Sequence, residues 1–459
     1  MKKLLGIFIL ILSLNGFTQS NNYKIKFELN GFNDSVFYLV SYYADKFQVL
    51  DTSDFSSANV IFEGDSLLQG GIYMLAGEKM NKHFEFLIDK EQQFKVIASK
   101  NNLIPSLKSE GSISNKHFFD YLRFNKTAYE KINEQKQNLS KSENITQTNA
   151  IKKNIEELNK GIDNYKKSYV QKNPSALLSK IFLGMEEPEV DPSLSKLQSY
   201  HFYKNNYWNN IDLTDARMIR TPILHNKLSN FFNKIILQNP DTLIKEIDGL
   251  LQKPMAQEIK NHFILNLALK YEYPYIMGLD KVFVHLVDKY FKTNEITGIS
   301  KGVMETIEKR ATKISRLLIG EPAPDLVMMD TMNKPQSLYN LEADFILVMF
   351  WDQECQVCQK EIKLLNELLA ENLFDLEVFA VGTDPKLEDW KQHIVDNSLQ
   401  MNHVTGTQSF TDDYHELYDI YSTPTIYLLN HNKQIIAKRL AVEQISDFLK
   451  DYQNKHKEE

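Results

Sequence analysis

The chain has 459 residues, of which 25% are charged and 42% hydrophobic, the proportions of an ordinary globular protein. A net charge of -7 excludes the basic footprint of a nucleic-acid-binding protein. With only 2 cysteines, the chain is no disulfide-stapled scaffold, and its length predicts about three domains with ample apolar surface to bury.

The first stretch, "MKKLLGIFILILSLNGFTQS", sets a positive pair, Lys2 and Lys3, ahead of an apolar run from Leu4 to Leu14. That run is shorter than the roughly 20 residues a membrane span needs. Gly16 and Thr18 place small residues before a cut at Gln19. The pattern predicts a cleaved signal peptide over residues 1–18, an uncleaved anchor being the alternative. No cysteine follows the apolar run, so a lipid-anchored lipoprotein is excluded. The expected location is the periplasm or cell envelope. Structural disulfides are common in such an oxidising compartment. One isolated cysteine pair in a chain this long points to chemistry instead.

Residues 22–112 read as short strands. "YKIKFEL" alternates, "SVFYLVSYY" is β-branched and aromatic, and "HFEFLI" and "QFKVIA" alternate again, with turn residues between them. A small antiparallel sandwich or barrel is expected. Residues 113–317 read as helical. Their Lys/Glu/Asn-rich first part, ending at Pro174, is a solvated helix face more often than a partner-binding arm. "TLIKEIDGLLQ", "IKNHFILNLALKYEY" and "KVFVHLVDKYF" continue at helical spacing. This part is far longer than a linker. The two upstream regions together are expected to serve as a docking or homodimerisation platform, leaving a fragment from Gly320 onward competent by itself.

Residues 318–459 alternate strands and helices, which predicts an α/β sheet covered on both faces. "FILVMFW" is near-continuously apolar, as a central strand buried on both faces requires. Cys355 stands where that strand ends and a helix begins. Unpaired N–H groups at a helix start carry about half a positive charge and favour a thiolate, the nucleophilic form. Cys358 follows one turn later on the same face. Two thiols so spaced can exchange two electrons.

Four stretches carry a family resemblance: "EPAPDL" (Glu321–Leu326), "FWDQECQVCQKE" (Phe350–Glu361), "VFAVGTD" (Val378–Asp384) and "STPT" (Ser422–Thr425). In this order they resemble the TlpA/ResA-type thiol–disulfide oxidoreductases of the thioredoxin-like fold. The β-rich region, through "VFYLVSYY" and "GSISNKHFFDYL", resembles the N-terminal DUF4369-type domain often fused to them. The resemblance implies an attacking Cys355, a buried resolving Cys358, a cis-proline loop at Thr423–Pro424 facing them, and a proton-handling Glu361. The bland reading of Glu361 is an acid in the first turns of a helix. Trp351 is expected in the core or as a shielding ring beside the pair where substrate lies. The implied substrates are protein disulfides. The implied reductant is an upstream partner, a membrane electron carrier among the candidates, and no small-molecule cofactor is implied.

The departures are Glu354 where thioredoxins have Trp, and Met349 in place of their buried aspartate. Gln356 and Val357 between the cysteines supply neither the His of strong oxidants nor the Pro of many reductases. Asp352 reads as a turn residue. Its charge, with those of Glu354 and Glu361, disfavours a very stable thiolate, so a reducing pair is expected. Structural zinc needs four ligands, and His393, His403, His415 and His431 match no zinc spacing. Attached haem would need a histidine where Gln359 stands. Two alternatives stay open: a peroxiredoxin-like peroxidase, suggested by "APDL" and "VGTD", and a binding or scaffold protein with a redox-inactive tail.

Overall fold

A computed structural model describes residues 22–54, 59–142, 144–383 and 385–456. The signal-like segment over residues 1–18 and Asp384 of the "VFAVGTD" stretch lie outside them. The chain divides into two compact units, Met1–Phe231 and Phe232–Glu459, so the helical region is shared between both.

In the first unit, alternation gives each strand one apolar face. The strands are Tyr23–Asn30 (β1), Val36–Tyr43 (β2), Lys46–Asp54 (β3), Asn59–Gly64 (β4), Gly71–Ala76 (β5), Lys82–Ile88 (β6), Gln93–Ser99 (β7) and Lys108–Glu110 (β8). They form sheets ordered β4-β1-β7-β8 and β3-β2-β5-β6. Phe27 is fully buried and meets Phe62 and Phe86 edge-on, with ring centroids 5.9 and 5.3 Å apart. One pairing departs from the antiparallel expectation. β1 and β7 run parallel, which is open to them because the whole second sheet lies between them in the chain.

Ser112 caps the helix Ile113–Ser140 by accepting from the N–H of Asn115. Asn115 is itself buried. Its amide accepts from the N–H of Leu87 at 2.7 Å and donates to the carbonyl of Leu87 at 2.8 Å, which stitches the helix to β6. The helix Ile145–Lys172, capped by Asn144, folds back on the first. Ala128, Ile132 and Ile162 form a narrow apolar seam between them. The remaining Lys/Glu-rich surface is largely solvated, as expected.

The second unit holds the helices Pro240–Leu251, Gln257–Glu272, Asp280–Leu286 and Lys301–Ser315, followed by the α/β domain. Its strands are Val327–Asp330 (β9), Pro335–Ser337 (β10), Phe345–Trp351 (β11), Leu376–Gly382 (β12), Asn402–Ser409 (β13), Thr425–Asn430 (β14) and Ile435–Lys438 (β15). The sheet order is β10-β9-β13-β12-β11-β14-β15. β11 is central and buried at every residue, which is why "FILVMFW" needs no polar face. Alternate residues feed two cores. Leu347, Met349 and Trp351 face one side with Cys358, and Ile346, Val348 and Phe350 face the other. β12 ends at Gly382, where an added Cβ would stand 2.7 Å from Nε1 of Trp390, so the close-packed ring leaves no room for a side chain. Taken together, the architecture is an N-terminal β-sandwich, a middle α-helical region and a C-terminal α/β thioredoxin-like fold.

Candidate active site

β11 carries the chain out of the core, and a turn redirects it. The Asp352 carboxylate accepts from the N–H of Glu354 at 2.8 Å, and the Asp352 carbonyl accepts from the N–H of Cys355 at 3.2 Å. Asp352 is therefore the turn residue its sequence position suggests. Cys355 becomes the N-cap of the helix Gln356–Ala370, and its Sγ accepts from the N–H of Cys358 at 3.3 Å. A sulfur at this position meets the positive end of the helix dipole. Across from it, the Thr423 carbonyl lies 3.6 Å from the same Sγ, and the Thr423–Pro424 peptide bond is cis.

The two cysteines are free thiols with opposite surroundings: Cys355 is half-buried and Cys358 is fully buried. Burial pushes the Cys355 thiol up, but hydrogen bonds with the Cys358 thiol, the Cys358 N–H, Thr423 and the Val357 N–H outweigh it. The net displacement is below the ordinary thiol value. Cys358 is pushed up to about 11, first by burial and then by its hydrogen bond with Cys355. One thiol is thus set up to ionise and the other to keep its proton, the asymmetry that a nucleophile and a resolving thiol need.

Thr423 and Pro424 stand where the sequence placed them. Glu361 is buried on the inner face of the site helix, and its carboxylate accepts from the N–H of Val442 at 2.8 Å. Of the two readings of Trp351, the core one holds and the substrate-contacting one is corrected: the ring is fully buried and packs against His393 and His403, with ring centroids 5.8 and 6.1 Å away. It shares the inward register of Leu347 and Met349, so it backs the pair from within the core. Met349 is equally buried in the apolar cluster that holds Cys358, so no carboxyl stands at that strand position. Glu354 is exposed and pairs loosely with Lys386 at 3.8 Å. Among the described residues, no group of three or more His, Cys, Asp or Glu side chains is placed to hold a metal.

An open groove of about 630 Å³ adjoins the pair. Val357 and Glu361 contribute from the site helix, and Tyr421 to Ile426 from the cis-proline loop. Tyr273, from the end of the helix Gln257–Glu272, also lines it. Sequence reasoning missed Tyr273 and its neighbour Arg310. Nothing local marks them, because their place at the site arises only when distant helices pack.

Two family models match parts of the chain. The AhpC/TSA family matches residues 319–438, and DUF5106, a domain of unknown function, matches residues 136–313. The thiol–disulfide oxidoreductase ResA of Bacillus thuringiensis is 23% identical over 145 residues, covering 31% of this chain and 82% of that protein. ResA of Geobacillus kaustophilus is 27% identical over 145 residues, covering 30% and 80%. The solved domain of a "possible thiol-disulfide isomerase" from Cytophaga hutchinsonii is 35% identical, covering 31% of this chain and 97% of its own, with a TM-score of 0.29. The C-terminal domain belongs to the thioredoxin-like thiol–disulfide oxidoreductases. A thioredoxin-like protein from Bacteroides caccae is also similar to this chain. It covers 57% of this chain and 97% of its own at 20% identity and a TM-score of 0.46.

Proposed function

We propose that this is an exported reductase of protein disulfides that works through Cys355 and Cys358. The Cys355 thiolate attacks one sulfur of a substrate disulfide, forming a mixed disulfide and expelling the other sulfur as a thiolate that takes up a proton. The Cys358 thiol then loses its proton and attacks Cys355 Sγ, releasing the second substrate thiol and leaving a Cys355–Cys358 disulfide. The substrate disulfide gains two electrons and the pair loses two. A partner must return them, and a membrane electron carrier fits an envelope location. Glu361, one turn beyond Cys358 and buried, is the carboxyl available to pass a proton in place of the aspartate that Met349 replaces.

The observation that carries this reading is the opposed environment of the two thiols. The reducing direction rests on what surrounds Cys355. Its thiolate is favoured by N–H and S–H donors, with no cationic side chain between the cysteines. Strong oxidants, near about -120 mV, depend on a far more stable thiolate, whereas thioredoxin lies near about -270 mV. The "MKKLLGIFILILSLNG" segment supports export, and the two-sheet N-terminal sandwich fits the DUF4369-type resemblance. The β-rich and helical regions upstream of the thioredoxin-like domain are the proposed docking or dimerisation platform.

The test is a trap. A Cys358→Ala chain should accumulate mixed disulfides at Cys355 with envelope proteins, separable in non-reducing gels and released by dithiothreitol. A Cys355→Ala chain should accumulate none. Equal trapping by both variants would contradict the assignment of the nucleophile.

A further inference from the structure

The groove beside the pair has one wall that the thioredoxin-like domain does not supply. Tyr273 comes from the helical region, and its ring meets Tyr421 of the cis-proline loop edge-on, with centroids 6.1 Å apart. Arg310, also from the helical region, lies over both rings at 4.7 and 5.0 Å from their centroids. The same guanidinium pairs with buried Asp419, just upstream of the loop, and with Glu272 at 3.1 Å, next to Tyr273. Arg310 thus holds the two tyrosines as a fixed corner and leaves their outer surfaces open. Tyr273 is 50% exposed, Tyr421 60% and Val357 58%, so three apolar side chains face solvent around one groove next to Cys355. A protein rarely leaves such a cluster uncovered without use.

We infer that Tyr273 determines substrate specificity, and that the groove it completes takes the polypeptide flanking the substrate disulfide, with an aromatic or large aliphatic side chain next to the attacked cysteine. This deepens the reading of Cys355 as the nucleophile and rests on it. The geometry favours that occupant. Whatever joins Cys355 in a mixed disulfide must lie along the loop that touches its Sγ through the Thr423 carbonyl. The next surface it meets is the tyrosine corner. Arg310 is the positioning residue, acting through the two rings.

The experiment uses the full chain and two synthetic peptide disulfides identical except for Phe or Gly beside the attacked cysteine. Wild type should reduce the Phe peptide with a kcat/KM about tenfold above the Gly peptide, within the span one apolar side chain gives in a pocket. Tyr273→Ala should bring that ratio to within twofold of unity, whereas Tyr273→Phe should retain it. Arg310→Met should lower it by freeing the rings. A ratio, unlike a rate, is insensitive to a general loss of folded protein. A wild type that reduces both peptides equally, or a Tyr273→Ala chain that keeps the tenfold ratio, overturns the groove assignment alone. A wild type that reduces neither peptide, nor oxidised glutathione, overturns it together with the exchange reading.

Discussion

Asp419 offers the sharpest stability test of the region that holds the cis-proline loop. Its side chain is only 3% exposed and faces two guanidinium groups, Arg310 and, at 3.1 Å, Arg439. Burial alone would raise its carboxyl, but the hydrogen bond and charge of Arg310 outweigh it and hold the group below the usual carboxylate range. Asp419→Asn keeps the shape and removes the charge. Its backbone sits at φ +54°, a left-handed conformation that Asn tolerates as well as Asp, so the substitution adds no backbone strain. Breaking a buried ion pair by removing one partner costs about 3–5 kcal/mol. Arg310 keeps Glu272 at 3.1 Å, which places the loss at the lower end, about 3 kcal/mol. The assay is urea-dependent hydrogen exchange of the full chain, read on peptides from β11 and β14. Their protection should fall by about a hundredfold, since 1.4 kcal/mol is a factor of ten. Protection within threefold of wild type would show that the network adds nothing to the stability of the second unit.

Three further outcomes follow from the same geometry. Alkylation of Cys355 should titrate with a midpoint below the ordinary thiol value while Cys358 stays unreactive until near pH 11, so a single thiol should label at neutral pH by mass. His403 is buried with its pKa pushed down to about 4 by burial, from an ordinary 6.5. A depressed folded value means its contribution is complete above pH 6.5 and lost as pH falls toward 4, a difference on the order of 3 kcal/mol. Urea midpoints at pH 7 and pH 5 should differ in that direction, and His403→Gln should reduce the difference; an equal difference in the variant would clear His403. Glu361→Gln should slow turnover with peptide disulfides several-fold while leaving the alkylation rate of Cys355 near wild type, because the carboxyl is assigned to resolution and not to attack.

Much of the second unit was legible in the chain. "FILVMFW" announced a strand buried on both faces, and Cys355 fell at the strand-to-helix junction that its neighbours imply. Thr423–Pro424 was legible only through the family resemblance, since nothing local tells a cis bond from a trans one. β13 was harder to read, because "NHVTGTQS" mixes polar residues and Gly with few apolar positions. Period-two logic decides between the two readings of Trp351, since it shares its face with Leu347 and Met349 in the core. The parallel pairing of β1 with β7 was illegible because strand partners far apart in sequence leave no local mark. Tyr273 and Arg310 were illegible for the same reason. Their role exists only through contacts with the 419–424 loop. Those contacts also bear on the fragment expected to suffice from Gly320 onward. Cut there, the domain would leave buried Asp419 without Arg310 and the groove without one wall.

The central claim is that Cys355 and Cys358 act together as one two-electron couple of reducing character. The most direct measurement equilibrates the purified chain in glutathione buffers of graded potential, blocks free thiols by alkylation, and weighs the intact protein. Both thiols should disappear in a single transition at a potential more negative than about -180 mV, the value of protein disulfide isomerase. A transition above that value would make the protein an oxidase or isomerase, and oxidation of either cysteine without the other would contradict the couple itself.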